Sequence, residues 1–108
     1  ERKIRKLKQP PYYAVIFTSE RTEGDNGYEK MSQAIEELAT KQQGYLGMES
    51  ARNNGIGITI SYWETLEDIK NWKEHSTHKI AQDRGKKEWY KNYTVRVCKV
   101  EKDYSFEM

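Results

Sequence analysis

Two histidines, His75 and His78, stand three residues apart in the stretch WETLEDIKNWKEHSTHK, residues 63–79, which also holds Trp63 and Trp72. Imidazoles at i and i+3 can share a helical face and offer two nitrogens to zinc, but zinc needs a third and usually a fourth ligand. Cys98 is the single cysteine, and no Cys-x-x-Cys or His-x-x-x-His accompanies the pair, so no metal is expected. The apolar phase slips near EHSTH, which places His75 in a turn and opens a new inward stripe of His78, Ala81, Gly85 and Trp89. His78 is therefore the candidate. It can handle a proton in a pocket, or simply bond a backbone carbonyl at a helix start.

Around it lie side chains suited to a flat ligand. Trp72 and Trp89 fall on inward stripes of two helical pieces, and Gly85 allows the pieces to approach closely. They read either as an aromatic core or as the wall of an apolar pocket, with Tyr62 and Trp63 near its mouth. Arg52 and Arg96 lie in strands among smaller residues, where a guanidinium can bind a phenolate or carboxylate, or form a rim salt bridge. Cys98 reads as a small buried hydrophobe, and its solitude rules out an intrachain disulfide. No Gly-rich phosphate loop, nucleophile elbow or nucleotide fingerprint is present, so no nucleotide cofactor is expected.

These residues need elements to position them. YYAVIFTS (12–19) is an apolar run after Pro10-Pro11 and predicts a strand. Asp25 or Asn26 can cap a helix carried by Tyr28, Met31, Ile35, Leu38 and Gln42, which Gly44 would end in a left-handed conformation. GYLGMESAR (44–52) and IGITISYW (56–63) flank Asn53-Asn54-Gly55, a hairpin turn. Thr65 followed by Asp68 resembles a capping box for a helix with Leu66, Ile69 and Trp72 inward. That helix breaks at residues 74–77, where Ser76 or Thr77 can cap the next piece, and YTVRVCKVE (93–101) is the last strand.

The order is β-α-β-β-α-β, a ferredoxin-like α+β arrangement over residues 12–104, between a basic arm (1–11) and a short tail (105–108). Its first strand is apolar on both faces, as is the last, while helices cover one face only. A second copy covering the bare face is the simplest solution, so a homodimer is expected.

Bulk properties narrow the partners. The chain has 108 residues, 35% hydrophobic and 33% charged. Five of its nineteen basic residues lie in the first eight positions, leaving fourteen basic against sixteen acidic in the body. Such a balance does not favour nucleic-acid binding. No apolar run reaches membrane-span length, and a cytoplasmic location is expected.

GYLGMES, then ISYWETLEDIKNWKEHSTHKIAQDRGKKEWYKNYTVRVCKVEKDY, closely resembles the antibiotic biosynthesis monooxygenase domain family, over about residues 12–104. The resemblance implies a dimeric α+β barrel with a cavity between sheet and helices in each subunit. It also implies a cofactor-independent monooxygenase acting on a small aromatic or phenolic compound with O₂. Carried onto this chain, Trp72 would pack on the substrate, with Trp63 and Trp89 lining the site. His78 or Tyr90 would handle the proton, and Gln82 or Arg96 would hold an oxygen. A haem-degrading branch is a further alternative, but its histidine ligand position falls at Gln82 and its first-strand asparagine at Thr18 or Ser19. The alternative from another class is a non-catalytic dimeric module, binding a small molecule or serving in stress.

Overall fold

A computed structural model describes residues 8–108, apart from the side chains of residues 76 and 77. The basic arm falls largely outside the described residues, as do the capping roles expected of Ser76 and Thr77. Strand β1 (Tyr12–Arg21) leads to helix α1 (Tyr28–Ala39), then to β2 (Tyr45–Asn53) and β3 (Ile56–Trp63). Helices α2 (Leu66–Glu74) and α3 (Ser76–Arg84) follow, then a π-helical turn (Gly85–Trp89) and β4 (Tyr90–Val100). The four strands form one antiparallel sheet in the order β2-β3-β1-β4. This is the ferredoxin-like βαββαβ fold, its second helical segment broken in two.

Local chemistry explains the boundaries. The Asp25 carboxylate accepts from the backbone N–H groups of Gly27 and Glu29, satisfying donors that a helix start leaves open. Thr65 Oγ1 accepts from Asp68 N at 3.0 Å, the capping interaction expected there. His75 stands outside helical geometry between α2 and α3, so the helix breaks where the apolar phase slips.

Two expectations need correction. Helix α1 ends at Ala39, well before Gly44. Gly44 does take a positive φ of 82°, but it serves the turn into β2, where an added Cβ would lie 1.9 Å from an Asp68 carboxylate oxygen. Cys98 is exposed rather than buried. Its register opposite Ala14 on edge strand β4 puts it on the face away from the helices, which no described element covers at that point.

The core lies between sheet and helices. Trp63, fully buried, packs with Ala39, Ile69 and Trp72, and Tyr13, Val15, Ile35, Leu38, Tyr45 and Met48 surround them. Burying two indoles gives this core a large share of its apolar surface from aromatic side chains. On the opposite face Tyr12 packs edge-on against Tyr62, and its hydroxyl bonds Asp103 of the C-terminal segment. Further along that face Ile56 and Ile58 are about half exposed.

Candidate functional site

β4 is an edge strand, and its helix-side face is left partly bare. Val95 and Val97 belong to that face, since Val97 stands opposite the core residue Val15 and Val95 opposite Phe17, yet they are 45% and 51% exposed. Between Val97, α2 and α3 lies a cleft of about 470 Å³, lined by Leu66, Ile69 and Gln82 and rimmed by Lys70, Lys73, Glu74 and Lys79. Ile69 belongs to the cleft wall and to the core alike. The size suits a ligand of a few fused rings.

Gln82 is the sequence-selected residue that lines this cleft. His78, four residues earlier on α3, occupies the same helical face one turn away. Its ring stacks on the Trp72 indole, centroids 4.4 Å apart and planes 12° from parallel. His78 Nδ1 lies 3.1 Å from the Trp72 carbonyl oxygen. A carbonyl only accepts, so Nδ1 carries the proton and a neutral ring keeps its lone pair on Nε2. Burial pushes the imidazole below the ordinary histidine range, the nearby His75 adds to this, and the Trp72 carbonyl opposes it. The ring is thus poised to be neutral at pH 7, with Nε2 as a proton acceptor.

The remaining aromatics lie elsewhere. Trp63 stacks on the far side of the same assembly, 6.0 Å from Trp72, and its indole N–H donates to Ser61 Oγ at 2.9 Å. Trp72 and Trp63 are therefore core residues behind the cleft rather than its lining. Trp89 is buried at the other end of the sheet, donating to the Asn26 carbonyl at 3.0 Å and meeting Tyr28 edge-on. Tyr90 joins it there against Phe17, Tyr28 and Tyr93. Burial, and then Tyr28, hold the Tyr90 phenol above its ordinary range against the pull of Arg52 and Arg21, so it stays protonated at neutral pH and can donate a hydrogen bond but cannot act as a base. Gly85 leaves room for that ring, since a Cβ would come within 2.9 Å of it. Arg96, expected near a ligand oxygen, is exposed on the opposite face, in register with Ile16. An even offset from Cys98 along a pleated strand requires this.

Sequence reading missed two groups. The lysines at the cleft read as solvated helix positions because their convergence depends on how α2 and α3 pack. The second is the setting of Tyr28: the Arg21 guanidinium lies 3.6 Å from its ring centroid and that of Arg52 5.9 Å. Arg52 also donates to Ser19 Oγ and the Gly55 carbonyl, each at 2.7 Å, so it ties the hairpin to β1.

The model of the family described as monooxygenase af470-like matches residues 18–99, most of the sheet and all three helices. The chain belongs to this family. It is also 43% identical over 105 residues to YqjZ of Bacillus subtilis (strain 168), an alignment covering 96% of this chain and 92% of that one. In fold, this af470-like chain is similar to Rv0793 of Mycobacterium tuberculosis, with a TM-score of 0.76 at 9% identity, covering 87% of this chain and 99% of the other. It is similar as well to SnoaB of Streptomyces nogalater, described as a cofactor-independent oxygenase, with a TM-score of 0.74 at 6% identity and coverage of 85% and 95%. At such identities the likeness carries the fold. The family match places the chain among monooxygenase-like proteins with the antibiotic biosynthesis monooxygenase fold.

Proposed function

We propose that this protein is a monooxygenase that oxidises a small aromatic or phenolic compound with O₂, using no cofactor, in the cleft between α2, α3 and β4. The observation that carries the reading is the cleft of about 470 Å³, with Leu66, Ile69 and Val97 beside Gln82 in its wall, in a chain of the af470-like family. A phenolic substrate supplies all four electrons that O₂ takes up: it loses two hydrogens, one oxygen atom enters the ring as a carbonyl, the other leaves as water with those hydrogens, and no external reductant is consumed. The protein's part is to hold the ring and favour its ionised form. Leu66, Ile69 and Val97 supply apolar contact and Gln82 holds a substrate oxygen, while His78, expected to handle the proton, stands outside the lining and anchors the Gln82 helix by stacking on Trp72.

Two copies joined through the bare face of the sheet complete the reading. The half-exposed Ile56 and Ile58, with Tyr104 and Phe106 exposed on the C-terminal segment, support it. A cytoplasmic setting suits the lone exposed Cys98. Among the described residues, no helix is long and apolar enough to cross a membrane.

The non-catalytic binding reading draws on one observation: Trp63, Trp72 and Trp89 are all core residues rather than cleft lining. A haem site is not proposed, since the cleft presents the Gln82 amide and no imidazole in its lining. Oxygen uptake with a panel of anthrones and hydroquinones, under chelator, separates the first two readings. Substrate-dependent uptake reduced in Gln82→Ala is the catalytic outcome, and saturable binding of panel compounds without uptake is the binding-module outcome.

A further inference from the structure

The charges around the cleft point to the kind of molecule it takes. Lys70 and Lys73 project from one face of α2 and Lys79 from α3, against a single carboxylate, Glu74, in the same lining. Lys99 extends this basic edge along β4, because its register opposite Tyr13 puts it on the helix-side face with Val97. Among the described residues none of these four lysines forms an ion pair, the recorded pairs being Lys8 with Glu64 and Arg84 with Glu88. The surplus is local, for beyond residue 8 acidic residues outnumber basic ones, sixteen to fourteen. Beneath the ammonium groups lies a floor of Leu66 and Val97, each about half exposed. Apolar surface under a cationic rim complements a molecule with an apolar body and a negatively charged end.

We infer that the cleft selects ligands bearing a fixed negative charge, an aryl carboxylate being the class it fits. The inference rests on the cleft being the ligand site and adds to it the charge of the occupant. The carboxylate sits among the lysine ammonium groups and the ring lies on Leu66 and Val97. The same positive field stabilises a phenolate elsewhere on the bound ring, favouring ionisation before oxygen attack.

Calorimetric titration of the full chain with 2-naphthoate and with 2-naphthylmethanol, a neutral molecule of nearly the same shape, tests this. The expected result is that naphthoate binds about tenfold more tightly at low salt, as a few exposed charge contacts provide. That advantage should shrink at high salt and vanish in the triple variant Lys70→Gln, Lys73→Gln, Lys79→Gln, with the alcohol's affinity unchanged. Equal affinity for the two compounds in the unaltered protein overturns the charge inference and leaves the cleft as a ligand site. Failure of both to bind overturns the cleft as well. Circular dichroism of the triple variant checks that it is folded, and a retained naphthoate preference in a folded variant also counts against the inference.

Discussion

The His78 imidazole lies flat on the Trp72 indole at 4.4 Å and is tethered through Nδ1 to the carbonyl of that same residue. One tryptophan thus fixes both the plane of the histidine and its tautomer. Replacing Trp72 with Leu removes the stack and admits water. The chain should lose about 2–4 kcal/mol of stability, within the usual range for a truncated core aromatic. The His78 pKa, followed by NMR, should move up toward the ordinary value.

The lowered His78 pKa also fixes the sign of a pH effect. Below the ordinary value of 6.5 the unfolded chain protonates this histidine more readily than the folded one, so stability falls as pH drops through that region toward the folded value. Above 6.5 both states hold it neutral and the effect vanishes. His78→Phe keeps an aromatic stack but cannot titrate. Thermal melts between about pH 7.5 and 5 should show a smaller loss of stability for the variant than for the unaltered chain.

Gly44 and Gly55 have nearly the same backbone conformation, φ 82° and 84°, in different surroundings. A Cβ at Gly55 meets nothing within 4 Å, whereas at Gly44 it collides with the Asp68 side chain. Gly55→Ala should cost about 1–2 kcal/mol from the left-handed backbone alone. Gly44→Ala should cost clearly more, and chemical denaturation of the two variants measures the steric part as their difference.

If two copies pair through the bare sheet face, Ile58 lies within the contact. Sedimentation should give twice the 12.8 kDa chain mass, and Ile58→Asp should give a folded species of one chain mass with Cys98 more reactive toward thiol reagents.

The fold was legible because its signals are local: a hairpin triplet at Asn53-Asn54-Gly55, a capping threonine at Thr65 and a phase slip at His75 all appear where expected. The extent of α1 was not, since Gly44 carries a left-handed glycine signal that belongs to a later turn. The site was legible only in pieces. Gln82 and His78 lie on one helical face, which spacing reveals. Whether a buried tryptophan lines a cavity or fills a core depends on packing between elements far apart in sequence. For Trp63, Trp72 and Trp89 the answer is the core. Arg96 shows another limit. Alternation places it with Cys98, but only the register of β4 on β1 tells which face the helices cover. The lysine rim depends in the same way on the packing of α2 and α3 against β4.

The central claim is that oxidation occurs in the cleft over Val97. Oxygen uptake by Val97→Trp, with a phenolic substrate turned over by the unaltered protein, tests it most directly. The indole would occupy the floor from a half-exposed strand position, leaving the core intact. The expected result is a fall in substrate-dependent uptake of at least about a hundredfold with an unchanged melting temperature, because a reacting ring is denied its position. Uptake at the original rate in that variant would contradict it.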